Sequence, residues 1–191
     1  MRLFTALEIS SEHKRLLSSL RRQLPGFVWY PPDTYHLTLR FIGDIRSRPM
    51  LEELDHALAR LSSDAFQIEP AGVGVISQPG RFRLVATISP STGLVTLQSR
   101  IEATLRRCGI AMEKRRFQPH ISLGVGQGDA GPNIIRWVQQ NNLMKGKALT
   151  AEHFTLFRSY RTSDVPHYEV CAEYPLGDAM LLGQESWMQR E

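Results

Sequence analysis

Three short stretches of the 191-residue chain place a histidine two positions before a hydroxyl: His36-Leu37-Thr38, His120-Ile121-Ser122 and His153-Phe154-Thr155. Apolar residues fill the positions between and after. That is the period-two pattern of a half-buried strand, which puts the imidazole and the hydroxyl on one face and the apolar residues on the other. In "YHLTLRF" the same alternation adds Arg40 to the face of His36 and Thr38 and sends Leu37, Leu39 and Phe41 to the core. Two such strands facing each other would gather two imidazoles and two hydroxyls round one small volume. In-line displacement at phosphorus needs a base for the attacking oxygen and an acid for the leaving one, and imidazole serves as either near neutral pH. The hydroxyls can donate to non-bridging oxygens, and Arg40 can add a charge-assisted fork to the same phosphate. This chemistry calls for no metal and no organic cofactor. The pattern alone leaves open which two of the three histidine strands form the pair.

The elements that must position these residues follow from local pattern. "RLFTALEI" reads as a strand. Ser10 or Ser11 caps a helix with Leu16, Leu17, Leu20 and Leu24 on one face, stopped by Pro25-Gly26. "YHLTLRFIG" is the next strand. "PMLEELDHALARL" is a helix with Pro49 near its start. "FQIEPAGVGVI" and "RFRLVATIS" are strands joined by a Pro79-Gly80 turn. A longer helix carries Leu94, Leu97, Ile101 and Leu105 in register and ends at Gly109. The order then starts over: "FQPHISLGV" as a strand, "GPNIIRWVQQNNL" as a helix, and "ALTAEHFTLFRSY" and "HYEVCAEY" as strands around Thr162-Ser163-Asp164. Turn signals between neighbouring strands favour antiparallel pairing. The expected fold is α+β and bilobal: two related lobes, each an antiparallel sheet with helices packed outside, and the active site in the cleft between them. Residues 1–177 form this one domain. The tail, 178–191, shows no strong pattern.

The formal net charge is +4, with basic residues clustered at Arg21-Arg22, Arg81 with Arg83, Arg106-Arg107, Lys114-Arg115-Arg116 and Arg158 with Arg161. Each cluster reads as a solvated face; together they favour an anionic partner such as nucleic acid or phosphate. No apolar run is long enough to span a bilayer. Cys108 and Cys171 lack metal-type spacing and read as reduced thiols of a cytoplasmic protein, and no membrane partner is expected. No His, Asp and Glu cluster has short ligand spacing, and no serine sits in a nucleophile elbow. His13 and His56 fall on helix faces read as exposed.

"LFTALEI", "YHLTLRFIGD", "FQPHISL" and "FTLFRSY…HYEV" follow one another in an order that resembles the 2H phosphoesterases, with the bacterial RNA 2′,3′-cyclic phosphodiesterases (2′-5′ RNA ligases) the nearest likeness. The resemblance runs from about Arg2 to Tyr174. It implies that His36 and His120 are the catalytic pair, that Thr38 and Ser122 bind the phosphate, and that His153 stands aside on the next strand of the second lobe. Ser122 stands where threonine is usual. Val125 occupies a position where some relatives carry an arginine, so Arg40 becomes the candidate for the missing cation. The implied activity is metal-independent opening of RNA 2′,3′-cyclic phosphates to 2′-phosphomonoesters by a monomeric enzyme, with reversible 2′-5′ RNA ligation, a ribose 5′-hydroxyl as nucleophile, by the same groups. The competing readings are a phosphodiesterase for 2′-5′ oligonucleotides or small cyclic nucleotides, and a non-catalytic RNA-end binder. Phe4 and Tyr35 are candidates to stack on the terminal base.

Overall fold

Ten strands and four helices form among the residues that the computed structural model describes, 1–24, 27–160 and 166–177. The Pro25-Gly26 helix stop, the Thr162-Ser163-Asp164 turn and the tail from 178 onward lie outside them. The core of the molecule is one mostly continuous antiparallel sheet. Its strands are β1 (Arg2–Glu8), β2 (Val28–Trp29), β3 (His36–Asp44), β5 (Pro70–Gln78), β6 (Arg81–Ile88), β7 (His120–Gln127), β9 (His153–Tyr160) and β10 (His167–Pro175). They run in the order β10-β9-β1-β3-β7-β6-β5, with β2 added beside β7. The remaining two, β4 (Phe66–Ile68) and β8 (Leu149–Ala151), pair as a separate ribbon.

The α+β class and the antiparallel pairing are as expected, but the lobes are not the two halves of the sequence. One lobe is β10-β9-β1-β3 and the other is β7-β6-β5 with β2. The reason lies in β1. Its residues from Leu3 to Leu7 are all buried, so it is an interior strand that needs a neighbour on each edge. β3 takes one edge, and β9, some 150 residues on, takes the other, with Ala6 opposite Thr155 and Arg2 opposite Ser159. His153 therefore belongs to the lobe of His36, not to that of His120.

Four helices cover the sheet face opposite the cleft: α1 (Ser11–Ser19), α2 (Arg48–Ala59), α3 (Thr92–Arg107) and α4 (Pro132–Asn141). The first three start on a serine whose side chain accepts a backbone N–H of the first turn: Ser10 from His13, Ser47 from Met50 and Ser91 from Leu94. α3 buries Leu94, Leu97, Ile101 and Leu105, and Gly109 closes it with φ +80°. These side chains meet Leu37, Leu39, Ile121 and Leu123 from the sheet in one apolar core. Among the described residues no helix is long and apolar enough to cross a membrane.

The lobes meet where β3 pairs with β7. Their register contains the single pair Leu37–Ile121, after which the strands diverge and β2 takes the edge of β7 at Gly124 and Val125. This divergence opens the cleft on the face opposite the helices.

Candidate functional site

Both histidine strands carry the same local irregularity. In β3, Ala6 of β1 lies opposite Thr38 and Thr5 opposite Arg40, so Leu39 is an extra residue. In β7, Val85 of β6 lies opposite Ser122 and Leu84 opposite Gly124, so Leu123 is extra. A bulge of this kind puts two successive side chains on one face and reverses the alternation beyond it. The alternation expected to aim Arg40 into the cleft beside His36 and Thr38 breaks here for this reason, although Arg40 still lines the cavity on the His120 side. Leu39 and Arg40 both point to the helix side and are 3% and 6% exposed. The Arg40 guanidinium pairs with Glu102 of α3 and donates to the carbonyls of Phe41 and Ala111. It is a strut between sheet and helix, with its donors already committed. Phe41, expected in the core, instead reaches the cleft face and is 49% exposed.

Upstream of the bulges the alternation holds. His36 and Thr38, and His120 and Ser122, occupy the cleft face while Leu37 and Ile121 are buried between them. The two rings are held alike. His36 Nδ1 lies 2.8 Å from the Thr34 carbonyl oxygen, and His120 Nδ1 lies 2.7 Å from that of Gln118. A carbonyl only accepts, so each Nδ1 carries a proton and each Nε2 of the neutral ring is left as the acceptor. Thr38 Oγ1, 3.1 Å away, donates to Nε2 of His36.

Their surroundings differ. His36 sits in an aromatic cage: Phe4 with ring centroids 4.9 Å away, Tyr168 edge-on at 4.9 Å and Phe157 at 5.9 Å. Burial there pushes its pKa down to about 4, against the raising effect of the Thr34 carbonyl; the charges of His120 and Lys14 lower it further. His120 is also lowered, by burial first and by the nearby Arg83 guanidinium, with the Gln118 carbonyl opposing. Phe4 forms part of this cage and is 1% exposed, whereas Tyr35 is buried in the main core and lies outside the cleft wall.

Two cavities open from the cleft floor and share Thr38, Phe41, Arg83 and Ser122. The one on the His36 side, about 230 Å³, is walled by Arg2, Phe4, Tyr30 and Tyr168. The one on the His120 side, about 420 Å³, is walled by Gln98, Arg115, Arg116 and Phe117. Arg83 is the residue that sequence reasoning missed. It was grouped with Arg81 as a solvated pair, although "RFRLVATIS" by alternation already separates both arginines from Phe82 and Leu84. Which polar face looked into a cleft depended on the pairing of β6 with β7.

The remaining histidines are elsewhere. His153 is not among the residues walling either cavity; its ring and the carboxylates of Glu8 and Glu173 bring one possible ligand atom each to within 4.8 Å of one another. Three strands assemble that group, which is why no ligand spacing appears along the chain. Glu8 also accepts from Thr155 Oγ1 at 3.1 Å. His13, read as exposed, is 5% exposed: Ser10 Oγ–H donates to its Nδ1, and its Nε2–H donates to the Lys147 carbonyl, both at 2.7 Å.

Residues 7–84 match the family model described as LigT like Phosphoesterase. An RNA 2′,3′-cyclic phosphodiesterase of Aeropyrum pernix is 28% identical over 144 residues, 74% of this chain and 81% of that protein. A solved Thermus thermophilus structure superposes with a TM-score of 0.71 at 26% identity, over 93% of this chain and all of that one. Escherichia coli LigT, solved with 3′-AMP, superposes with a TM-score of 0.75 at 22% identity, over 92% of this chain and 97% of that one.

Proposed function

We propose, from the match to the LigT like Phosphoesterase model and the likeness to RNA 2′,3′-cyclic phosphodiesterases, that the chain is a LigT-like 2H phosphoesterase that opens the 2′,3′-cyclic phosphate at RNA ends to a 2′-phosphomonoester. The observation that carries this reading is the matched pair of rings. Two strands hold an imidazole by the same Nδ1–H to carbonyl bond, each beside a hydroxyl, above one shared floor.

In the proposed step His120 Nε2 takes a proton from water as its oxygen attacks phosphorus. The bond from phosphorus to O3′ breaks, and His36 Nε2–H passes its proton to O3′. The product carries a 2′-phosphate and a free 3′-hydroxyl, and the two rings return to their starting state by exchanging one proton with solvent. Thr38 and Ser122 donate to the non-bridging oxygens. His36 must be protonated in this step, yet its aromatic cage holds it neutral in the free protein. Its proton arrives with the substrate: an anionic phosphate beside Nε2 favours the imidazolium.

A second reading, 2′-5′ ligation, is favoured by the larger cavity on the His120 side. Hydrolysis needs only a water there, while about 420 Å³ with Arg115, Arg116 and Phe117 in its wall suits a nucleoside. A 5′-hydroxyl in that place would attack phosphorus as the water does: His120 takes its proton, the bond from phosphorus to O3′ breaks, His36 protonates O3′, and a 2′-5′ linkage results.

The test is turnover of a 2′,3′-cyclic nucleotide and of a cyclic-phosphate RNA end in EDTA, with the product phosphate located by NMR. A 2′-phosphate is expected. No turnover of either, or a 3′-phosphate product, overturns the reading. Preferential turnover of a 2′-5′ oligonucleotide would favour the rival substrate class.

A further inference from the structure

We propose that Arg83 is the phosphate clamp of this cleft, the guanidinium that neutralises the phosphoryl group while the two imidazoles move its protons. The inference rests on the phosphodiesterase reading and adds a residue to it.

Position is the first argument. Of the cationic side chains around the cleft, Arg2 walls only the His36 cavity, and Arg115, Arg116 and the ion-paired Arg40 only the His120 cavity. Arg83 walls both, in the company of Thr38 and Ser122. A phosphorus within reach of two hydroxyls and two imidazoles must lie on that shared floor, so only Arg83 can meet its non-bridging oxygens wherever the flanking groups extend.

The second argument is availability. Arg40 spends its donors on Glu102 and two carbonyls. Arg83 takes part in no ion pair and no side-chain hydrogen bond among the described residues. A guanidinium presents five donors in a planar fork matched to phosphate, and here the fork is uncommitted. Its backbone, by contrast, is fixed on both edges, opposite Ile76 of β5 and opposite Val125 of β7. The strand therefore sets where the side chain starts and leaves its end free for a ligand. The depressed pKa of His120 agrees, since Arg83 is the charge acting on it.

The third argument is charge. Thr38 and Ser122 are neutral donors. A phosphodiester is anionic, and attack by an activated oxygen concentrates negative charge on the same non-bridging oxygens. A preorganised cation aimed there is the largest stabilisation the cleft can supply.

The experiment compares wild type, Arg83→Gln, Arg83→Lys and the double variant Arg83→Gln/Val125→Arg. Readouts are kcat/KM on a 2′,3′-cyclic nucleotide, direct titration with inorganic phosphate, and the pH profile. Arg83→Gln should lower kcat/KM by roughly 10²–10³-fold, the loss typical of one oxyanion donor, and weaken phosphate binding. It should also move the alkaline limb of the profile upward, because His120 loses the cation that depresses it; a merely structural residue would leave that limb in place. Arg83→Lys should recover part of the rate. Val125→Arg should recover part as well, because directly opposed Cβ atoms sit about 4.5–5.5 Å apart on the same face. An Arg83→Gln enzyme with wild-type kcat/KM and wild-type phosphate affinity overturns the proposal. If the wild type itself turns over no cyclic phosphate, the parent reading falls, and the phosphate titration alone still decides Arg83.

Discussion

β3 and β7 run the same course for four residues and part at the fifth, just past the bulge. Each offers a histidine, a buried aliphatic residue, a hydroxyl and an extra leucine, and each swings back to the cleft at the fifth position beyond its histidine. There β3 has Phe41 and β7 has Val125. Between leucine and return, β3 has Arg40, tied into α3, and β7 has Gly124. A side chain at Gly124 would begin 2.5 Å from the Val28 carbonyl oxygen and 2.6 Å from the Phe27 ring, so its absence admits β2. The repeated part is the part proposed to handle protons. The divergent part is where each strand is fastened to its own lobe, by an ion pair on one side and a strand on the other. Chemistry constrains the two strands alike, while anchoring is solved twice.

The largest blow to this symmetry comes from the rings. His36→Ala and His120→Ala should each cost at least roughly 10²–10⁴-fold in kcat/KM, as expected for an acid or a base. Near-wild-type turnover in either variant would mean that the pairing is only geometric. The anchors come next. Arg40→Ala leaves Glu102 with the Glu113 N–H as its partner and no cation, a loss toward the lower end of the roughly 3–5 kcal/mol for breaking a buried pair, because Glu102 is 18% exposed. A clear fall in thermal midpoint is expected, read by calorimetry, with phosphate affinity kept by the surviving folded enzyme. Phosphate affinity lost at unchanged stability would return Arg40 to the cleft. Gly124→Ala should cost less, about 1–3 kcal/mol for overpacking, and urea titration of the variant checks it.

Smaller still is the effect on pH dependence. The proposed mechanism requires one ring neutral and one protonated. The free-enzyme profile, kcat/KM against pH, is then bounded by two apparent pKa values that belong to the pair. Both rings are depressed below the ordinary 6.5, His36 to about 4. The bell should therefore lie to the acid side of neutrality, falling as pH rises past 7. Tyr168→Ala opens the cage to water, which should raise the His36 value and move the acid limb upward. A limb that stays put would show that the aromatic edge does not control that ring. Last, His153→Ala should leave turnover within a few-fold of wild type, since its neighbours are Glu8 and Glu173.

Which of these residues the chain itself revealed follows a physical line. His36, Thr38, His120 and Ser122 were legible because they precede the bulges, where period two is intact. Arg40 and Phe41 were misassigned because a bulge has no compositional mark: Leu39 and Leu123 look like any strand leucine. The first three helices were legible from their leucine spacing, the first also from its serine cap; the caps at Ser47 and Ser91 emerge from the structure. The lobes were not, because the partner of β1 is set by two-sided burial and not by nearness along the chain. His13 went unrecognised as buried because its second partner, the Lys147 carbonyl, comes from 134 residues away.

The place of β1 in the sheet also orders events on the ribosome. Its first edge can pair once β3 has emerged, but the second waits for β9, with Arg2 opposite Ser159. Through the synthesis of everything between, an apolar strand stands with an open hydrogen-bonding edge, the condition that invites pairing with another chain. The second lobe, whose strands β5, β6 and β7 lie closer along the chain, can close first. Long-range pairing of this kind is slow. The cage around His36 needs Phe157 of β9 and Tyr168 of β10, so its ring should be the last of the two to take on its native acidity as the protein matures.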